Sequence, residues 1–135
     1  MFIAEYEIRV RYAETDQMGY VYYGNYAMYY EVGRVEALRS AGFSYRQMEE
    51  EGIMMPVLEN HSRFIKPGKY DELLTIRTMI REMPGIRIRF HYEVINEKGE
   101  LINEGETILV FLKTDSHKPC RPPAYLLDLL KPYFM

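Results

Sequence analysis

The sequence predicts an α+β fold in which one long helix packs against one antiparallel sheet. Three observations carry this. A stretch from about Tyr23 to Ala41 has helical periodicity and a face free of charge. From residue 53 onward the apolar residues recur with period two instead. The later period-two segments are joined by turns such as Pro84-Gly85 and Asn96 to Gly99, too short for a parallel crossover. The 135 residues are read as one domain, 1–135, a length that buries about two thirds of its unfolded surface.

In chain order, residues 2–12 read as a strand, with Ile8, Val10 and Tyr12 alternating with Arg9 and Arg11. Glu14 to Gly19 is a polar turn region. In the long helix, Tyr26, Tyr30, Gly33 and Ala37 lie on one side, joined by Tyr29, Ser40 and Ala41, so something packs closely there. Glu31, Arg34, Glu36 and Arg39 lie elsewhere, mixed with Met28, Val32, Val35 and Leu38. Gly42 is placed to end the helix. Ser44 and Gln47 make a capping-box pattern for a short helix over 45–51. A strand follows over 53–66, interrupted near Pro56, and Pro67-Gly68 turns the chain. In 71–82, Leu74, Ile76, Thr78 and Ile80 share a face. Ile86, Ile88, Phe90, Tyr92 and Val94 mark the cleanest strand. The last strand covers 100–113, with Ile108, Val110 and Leu112 on one face. Pro122-Pro123 precedes a short leucine-rich helix.

Composition removes several function classes. A net charge of −3 lacks the basic excess of a nucleic-acid binder. Cys120 stands alone, so no intrachain disulfide or cysteine zinc cluster forms, and the three histidines show no metal-ligand spacing. No stretch approaches the roughly 20 apolar residues of a membrane helix. The start of the chain lacks a signal-peptide pattern, and a reducing cytoplasm fits this set. Neither a phosphate-binding glycine loop nor a complete G-x-S-x-G elbow occurs.

The remaining chemistry concentrates at a tyrosine-rich turn. Thirteen tyrosines and no tryptophan occur, and seven of the tyrosines fall between Tyr12 and Tyr30. Tyrosine suits both pocket walls and half-buried core layers. Asp16 alone reads as a turn aspartate. Its segment, however, is unusually aromatic and leads into the N-terminus of the long helix, where free N–H groups and the helix dipole favour negative charge. A carbonyl aimed at that helix start would have its developing oxyanion stabilised, and a nearby carboxylate would attack it or activate water. His61 on its strand reads as a structural histidine, and Glu59, Asn60 and Ser62 share that stretch.

The pattern Asp16-x-x-Gly19-x-Val21-x-x-x-Asn25-Tyr26 resembles the signature of hot-dog-fold acyl-CoA thioesterases of the 4-hydroxybenzoyl-CoA thioesterase type. The run Tyr30-Glu31-Val32-Gly33-Arg34-Val35-Glu36-Ala37-Leu38-Arg39 is similar to the helix of their Tol–Pal-associated bacterial branch. Phe64-Ile65-Lys66-Pro67-Gly68-Lys69-Tyr70-Asp71-Glu72-Leu73 resembles the family's strand, turn and strand. The match runs in one register over about residues 5–120.

The resemblance implies a hot-dog: about five antiparallel strands wrapped around the central helix. It implies hydrolysis of an acyl-CoA thioester by a homodimer or homotetramer, with coenzyme A entering as substrate and no metal or other cofactor. It places Asp16 on the catalytic carboxylate, as general base or nucleophile. Tyr23 falls where a backbone N–H polarises the thioester carbonyl. Gly19 and Val21 shape the turn, while Asn25 and Tyr26 open the helix. Lys66, Lys69, Arg87 and Arg89 are candidates for the coenzyme A phosphates, against a reading as solvated strand charges. One departure is that the Tol–Pal branch often carries histidine where this chain has Tyr23, which argues against a histidine-assisted route. An acyl-carrier-protein thioesterase and a non-catalytic acyl-binding protein are the alternatives. A hot-dog dehydratase fits less well, since no histidine lies in the signature segment.

Overall fold

The computed structural model describes residues 1–135. Five strands form one antiparallel sheet: β1 (Phe2–Arg9), β3 (Val57–Phe64), β4 (Leu73–Ile80), β5 (Arg87–Ile95) and β6 (Leu101–Val110), in the spatial order β1-β4-β5-β6-β3. Helix α1 (Tyr26–Ser40) lies across the sheet and packs on β1 and β4. A short helix α2 (Tyr45–Glu50) follows, and β2 (Ile53–Met54) pairs with β7 (Leu112–Lys113) in a separate two-stranded ribbon. Helix α3 (Ala124–Leu130) closes the chain and buries Leu126 and Leu130. No helix is long and apolar enough to cross a membrane.

The alternation that predicted β5 is obeyed: Ile88, Phe90, Tyr92 and Val94 are all buried. They meet Leu74, Ile76 and Ile80 of β4 beneath Tyr29, Tyr30, Ala37 and Leu38 of α1. Close approach of helix and sheet depends on two glycines. A Cβ at Gly33 would sit 2.7 Å from Ile76 Cγ2 and 2.9 Å from Thr78 Oγ1. A Cβ at Gly105 would overlap the Tyr30 ring. Tyr30 is held on two sides: it stacks on Tyr92 at 4.3 Å, and its hydroxyl bonds with Ser62 and Asn103. The Ser44 cap forms as the pattern predicts, its hydroxyl accepting from the Gln47 N–H at 3.1 Å.

Several expectations are corrected. The first strand stops at Arg9, because the chain folds into a 3-10 turn over Tyr12–Glu14. The long helix opens with a 3-10 turn, Tyr23–Asn25, before α1 proper. The strand over 53–66 is two strands in two different sheets, split at Met55-Pro56. Ile108 and Val110 share a face, but that face turns away from the helix. The register of β6 on β5 instead sets Asn103, Gly105, Thr107 and Leu109 opposite the core residues Val94, Tyr92, Phe90 and Ile88. Arg34, expected off the packed face, is 8% exposed and points a guanidinium nitrogen at the Tyr92 hydroxyl, 3.4 Å away.

Candidate active site

Asp16 sits at the tip of a small antiparallel hairpin. Its N–H donates to the Tyr20 carbonyl at 2.8 Å, and the Tyr22 N–H donates to the Glu14 carbonyl at 2.9 Å. Between them the chain turns over Gln17 to Gly19, and Gly19 has a φ of +77° that glycine adopts without steric cost. One carboxylate oxygen of Asp16, Oδ1, closes the turn by accepting from the N–H groups of Met18 (2.9 Å) and Tyr20 (3.2 Å). The second oxygen accepts from no protein group, so it is free to act on something else.

Asp16 is the only carboxylate lining a mostly apolar cavity of about 360 Å³. Met18, Tyr20 and Val21 come from the hairpin, Tyr23 and Tyr26 from the helix start, and Phe64 to Pro67 from the end of β3. The rings of Tyr23 and Tyr26 meet Phe64 edge to face at 6.4 and 5.5 Å. Asp16 also borders a second cavity of about 530 Å³, more polar, with Tyr12, Thr15, Gln17, Gly19 and Tyr70 on its walls. The carboxylate thus stands between an apolar chamber and a more polar one.

The helix start faces the same chamber. Tyr23 and Gly24 begin the 3-10 turn, and their backbone N–H groups have no acceptor in the protein. Unsatisfied N–H groups at a helix start, aided by the helix dipole, are ready donors to a developing oxyanion. The Tyr23 side chain is 66% exposed.

Of the residues chosen from the sequence, Asp16, Val21, Tyr23, Tyr26 and Lys66 line the apolar cavity, and Gly19 borders the polar one. Asn25 lies behind the wall: its side-chain amide donates to the Glu14 carbonyl at 2.8 Å. Lys66 is paired with Glu100, and Lys69 donates its N–H to Glu72 at 2.8 Å. Arg87 and Arg89 do not reach this cavity within the protomer. Arg87 pairs with Val110, whereas Phe64 pairs with Asn103, seven residues back along β6 and thus about 23 Å away at the usual strand rise. Arg89 is ion-paired with Glu106 at 3.2 Å instead. His61 and Glu59 bond each other at 3.0 Å on exposed β3, outside the cavity.

Glu14, at the base of the same hairpin, is the other nearby acid. It is 5% exposed and accepts from the Tyr29 hydroxyl (2.9 Å), the Arg11 N–H (3.0 Å) and the Arg11 Nε (2.8 Å). Burial pushes its carboxyl up, but the donors and the Arg11 charge outweigh that and hold it below the ordinary carboxylate value. Burial and the Glu14 hydrogen bond push the Tyr29 phenol far above its ordinary value, so it stays protonated and donating. Phe64, Ile65, Tyr20 and Met18 were not singled out as cavity walls. The available signal was apolar side chains flanking turns, where solvent-exposed polar ones are the norm.

A family model described as the thioesterase-like superfamily matches residues 10–130. The chain belongs to this superfamily. Acyl-CoA thioester hydrolase YbgC of Escherichia coli O6:H1 is 32% identical over 124 residues, covering 92% of this chain and 92% of its own. Among solved structures, a DHNA-CoA thioesterase from Staphylococcus aureus has a TM-score of 0.90 at 40% identity, covering 98% of this chain and 89% of that one. A mutant 4-hydroxybenzoyl CoA thioesterase complexed with 4-hydroxybenzoyl CoA shares the fold, with a TM-score of 0.85 at 22% identity and coverage of 96% and 99%. Five antiparallel strands around one long helix, with these likenesses, make the fold a hot-dog.

Proposed function

We propose that the chain is an acyl-CoA thioesterase that hydrolyses an acyl-CoA thioester to the free acid and coenzyme A. The observation that carries the reading is the free oxygen of Asp16 in an apolar cavity walled by Tyr23, at the helix start where the N–H groups of Tyr23 and Gly24 have no acceptor. The acyl group lies among Tyr23, Tyr26 and Phe64, with its carbonyl oxygen toward those N–H groups. Asp16 then acts through the same free oxygen in either of two ways. As base it takes a proton from water, whose oxygen adds to the carbonyl carbon. As nucleophile it adds directly and forms an anhydride that water opens. In both routes the C–S bond breaks and coenzyme A leaves as a thiolate that acquires a proton. The polar cavity on the far side of Asp16 supports a supply of water to that face. The relatives named as acyl-CoA thioester hydrolase and DHNA-CoA thioesterase support coenzyme A as the carrier.

The working unit is a homodimer, or a tetramer built from it, acting in the cytoplasm. All eight residues of β3 are exposed, Val57, Leu58 and Phe64 among them, and β3 pairs with only one neighbour. A long unpaired edge strand presents a row of free N–H and C=O groups that template pairing with another chain. Pairing of β3 with its symmetry mate, antiparallel about the middle of the strand, would set the partner's Val57 end beside Phe64. The partner subunit's Arg87 and the partner subunit's Arg89 would then lie three strand spacings away, about 14 Å. That is within reach of a coenzyme A nucleotide whose thioester sits at Asp16.

Free-thiol release from a panel of acyl-CoA esters, aliphatic and aromatic, tests the reading. Turnover of at least one ester is expected. Release from acyl carrier protein but from no coenzyme A ester would replace the carrier, and binding without release would make this an acyl-binding protein.

A further inference from the structure

We propose that Glu14 is a positioning residue that sets the distance between the Asp16 carboxylate and the free N–H groups of Tyr23 and Gly24. This rests on the reading of Asp16 as the reacting group. Glu14 is attached at three levels. Its carboxylate receives the Tyr29 hydroxyl, which belongs to the first turn of α1. The same carboxylate receives the backbone N–H and guanidinium of Arg11, where the chain leaves β1. Its own carbonyl receives the Tyr22 N–H at 2.9 Å and the Asn25 side-chain amide at 2.8 Å. Tyr22 and Asn25 flank Tyr23 and Gly24, so these bonds hold the free donors from both sides. Two residues further on, Asp16 is locked to Tyr20 in the hairpin that starts at the Glu14–Tyr22 bond. One residue therefore joins the two halves of the reaction centre while touching neither cavity that Asp16 borders.

The chemistry of the side chain argues against a packing role. A buried carboxylate is costly unless several donors satisfy it, and an apolar residue of similar size would fill the space more cheaply. What the carboxylate supplies is direction: Tyr29, Arg11 and the backbone are all aimed at one point. Displacements of about 1 Å at a reaction centre cost on the order of 100-fold in rate. A loosened clamp should therefore lower turnover rather than binding.

The experiment compares Glu14→Gln and Tyr29→Phe, each alone and with Asp16→Asn, by steady-state hydrolysis of the best ester from the panel and by thermal melts. Gln keeps an acceptor for Tyr29 but loses the charge toward Arg11. Phe removes only the hydroxyl. We expect each single variant to lower kcat by about 10- to 100-fold, with KM within about threefold of the parent. In the Asp16→Asn background the same changes should add less than about twofold, because a positioning residue has no effect once the group it positions is gone. Full multiplication of the losses in the double variants would overturn the proposal, as would parental kcat in Tyr29→Phe. Should Glu14→Gln lack a cooperative melt, the Tyr29→Phe pair decides alone. If Asp16→Asn is impaired while both clamp variants run at the parental rate, only this inference falls. If Asp16→Asn itself runs at the parental rate, the reading of Asp16 falls with it.

Discussion

Replacing Asp16 with Asn changes one functional atom, and the structure separates what that atom does from what the rest of the side chain does. The turn is closed by Oδ1, which accepts from Met18 and Tyr20 at 2.9 and 3.2 Å. An asparagine carbonyl makes the same two bonds, so the hairpin should persist and stability should stay within about 0.5 kcal/mol, or roughly 2–3 °C in Tm. The second oxygen becomes an amide nitrogen, which neither attacks a carbonyl nor takes a proton. Loss of a general base costs about 100- to 10,000-fold, equivalent to about 2.7–5.4 kcal/mol of transition-state stabilisation, and loss of a nucleophile costs at least as much. Asp16→Ala should lose the same activity and, in addition, the two turn bonds, worth about 1–2 kcal/mol together in this partly exposed setting. Its Tm should therefore fall below that of the Asn variant by several degrees. The assay is steady-state hydrolysis, paired with thermal melts and a binding isotherm for a non-hydrolysable thioether analogue. The analogue should bind the Asn variant at least as tightly as the parent. An Asn variant that melts like the parent and keeps more than about a tenth of its turnover would refute the reasoning. No other acid is poised to replace Asp16: Glu14 is buried and fully bonded, and Glu59 lies on β3 outside the cavity.

Three further outcomes are expected. Gly105→Ala should destabilise by about 3–5 kcal/mol, since the methyl displaces Tyr30 and strains its bonds to Ser62 and Asn103. Gly99→Ala, in an open turn at a φ of +77°, should cost only about 1 kcal/mol, and thermal melts of the pair check the contrast. Light scattering should give a particle of at least two chains, and a stable monomer of 16.1 kDa with full activity would remove the β3 edge as an interface. The KM for a coenzyme A ester should rise with ionic strength, because rim contacts from Lys66 and a partner's arginines are screened. A truncated pantetheine ester with the same salt response would show that phosphate contacts are not the cause.

The parts of the fold that were legible were those in which a single local rule decides the outcome. Strict alternation from Ile86 to Val94 produces a strand whose inward residues are buried from Ile88 onward. Ser44 and Gln47 produce a cap, and Gly42 and Gly99 stand at positive φ where turns were expected. The parts that were not legible depend on partners from distant sequence. The helix-facing side of β6 carries Asn103, Gly105 and Thr107, which no hydropathy pattern would assign to a core. They belong there because Tyr30 and Tyr92 bring hydroxyls inward, and those hydroxyls bond to Asn103 and Thr107. Arg34 is drawn in by the same polar layer.

The candidate site divides along the same line. The hairpin from Glu14 to Tyr22 is contiguous, so its turn chemistry and its approach to a helix start are written locally, and Asp16 is found from them. The cavity is not contiguous, because it needs Phe64 to Pro67 from the end of β3, about forty residues away. Charge position is least legible of all. Arg87 and Arg89 look like neighbours of Lys66 on a list of basic residues, yet strand pairing sets them at opposite ends of the sheet. Their proposed return to the site depends on a second copy of the chain. A one-dimensional sequence states which charges exist, but strand register decides which of them share a ligand, and for an edge strand that register would be set by the proposed second copy. This gives the salt experiment a second use. In a protein held monomeric by a charged substitution at Leu58, the salt dependence of binding should flatten, because the partner's arginines would no longer be near the rim. An undiminished salt response in such a monomer would place the phosphate contacts within one chain and would remove the partner's arginines from the site.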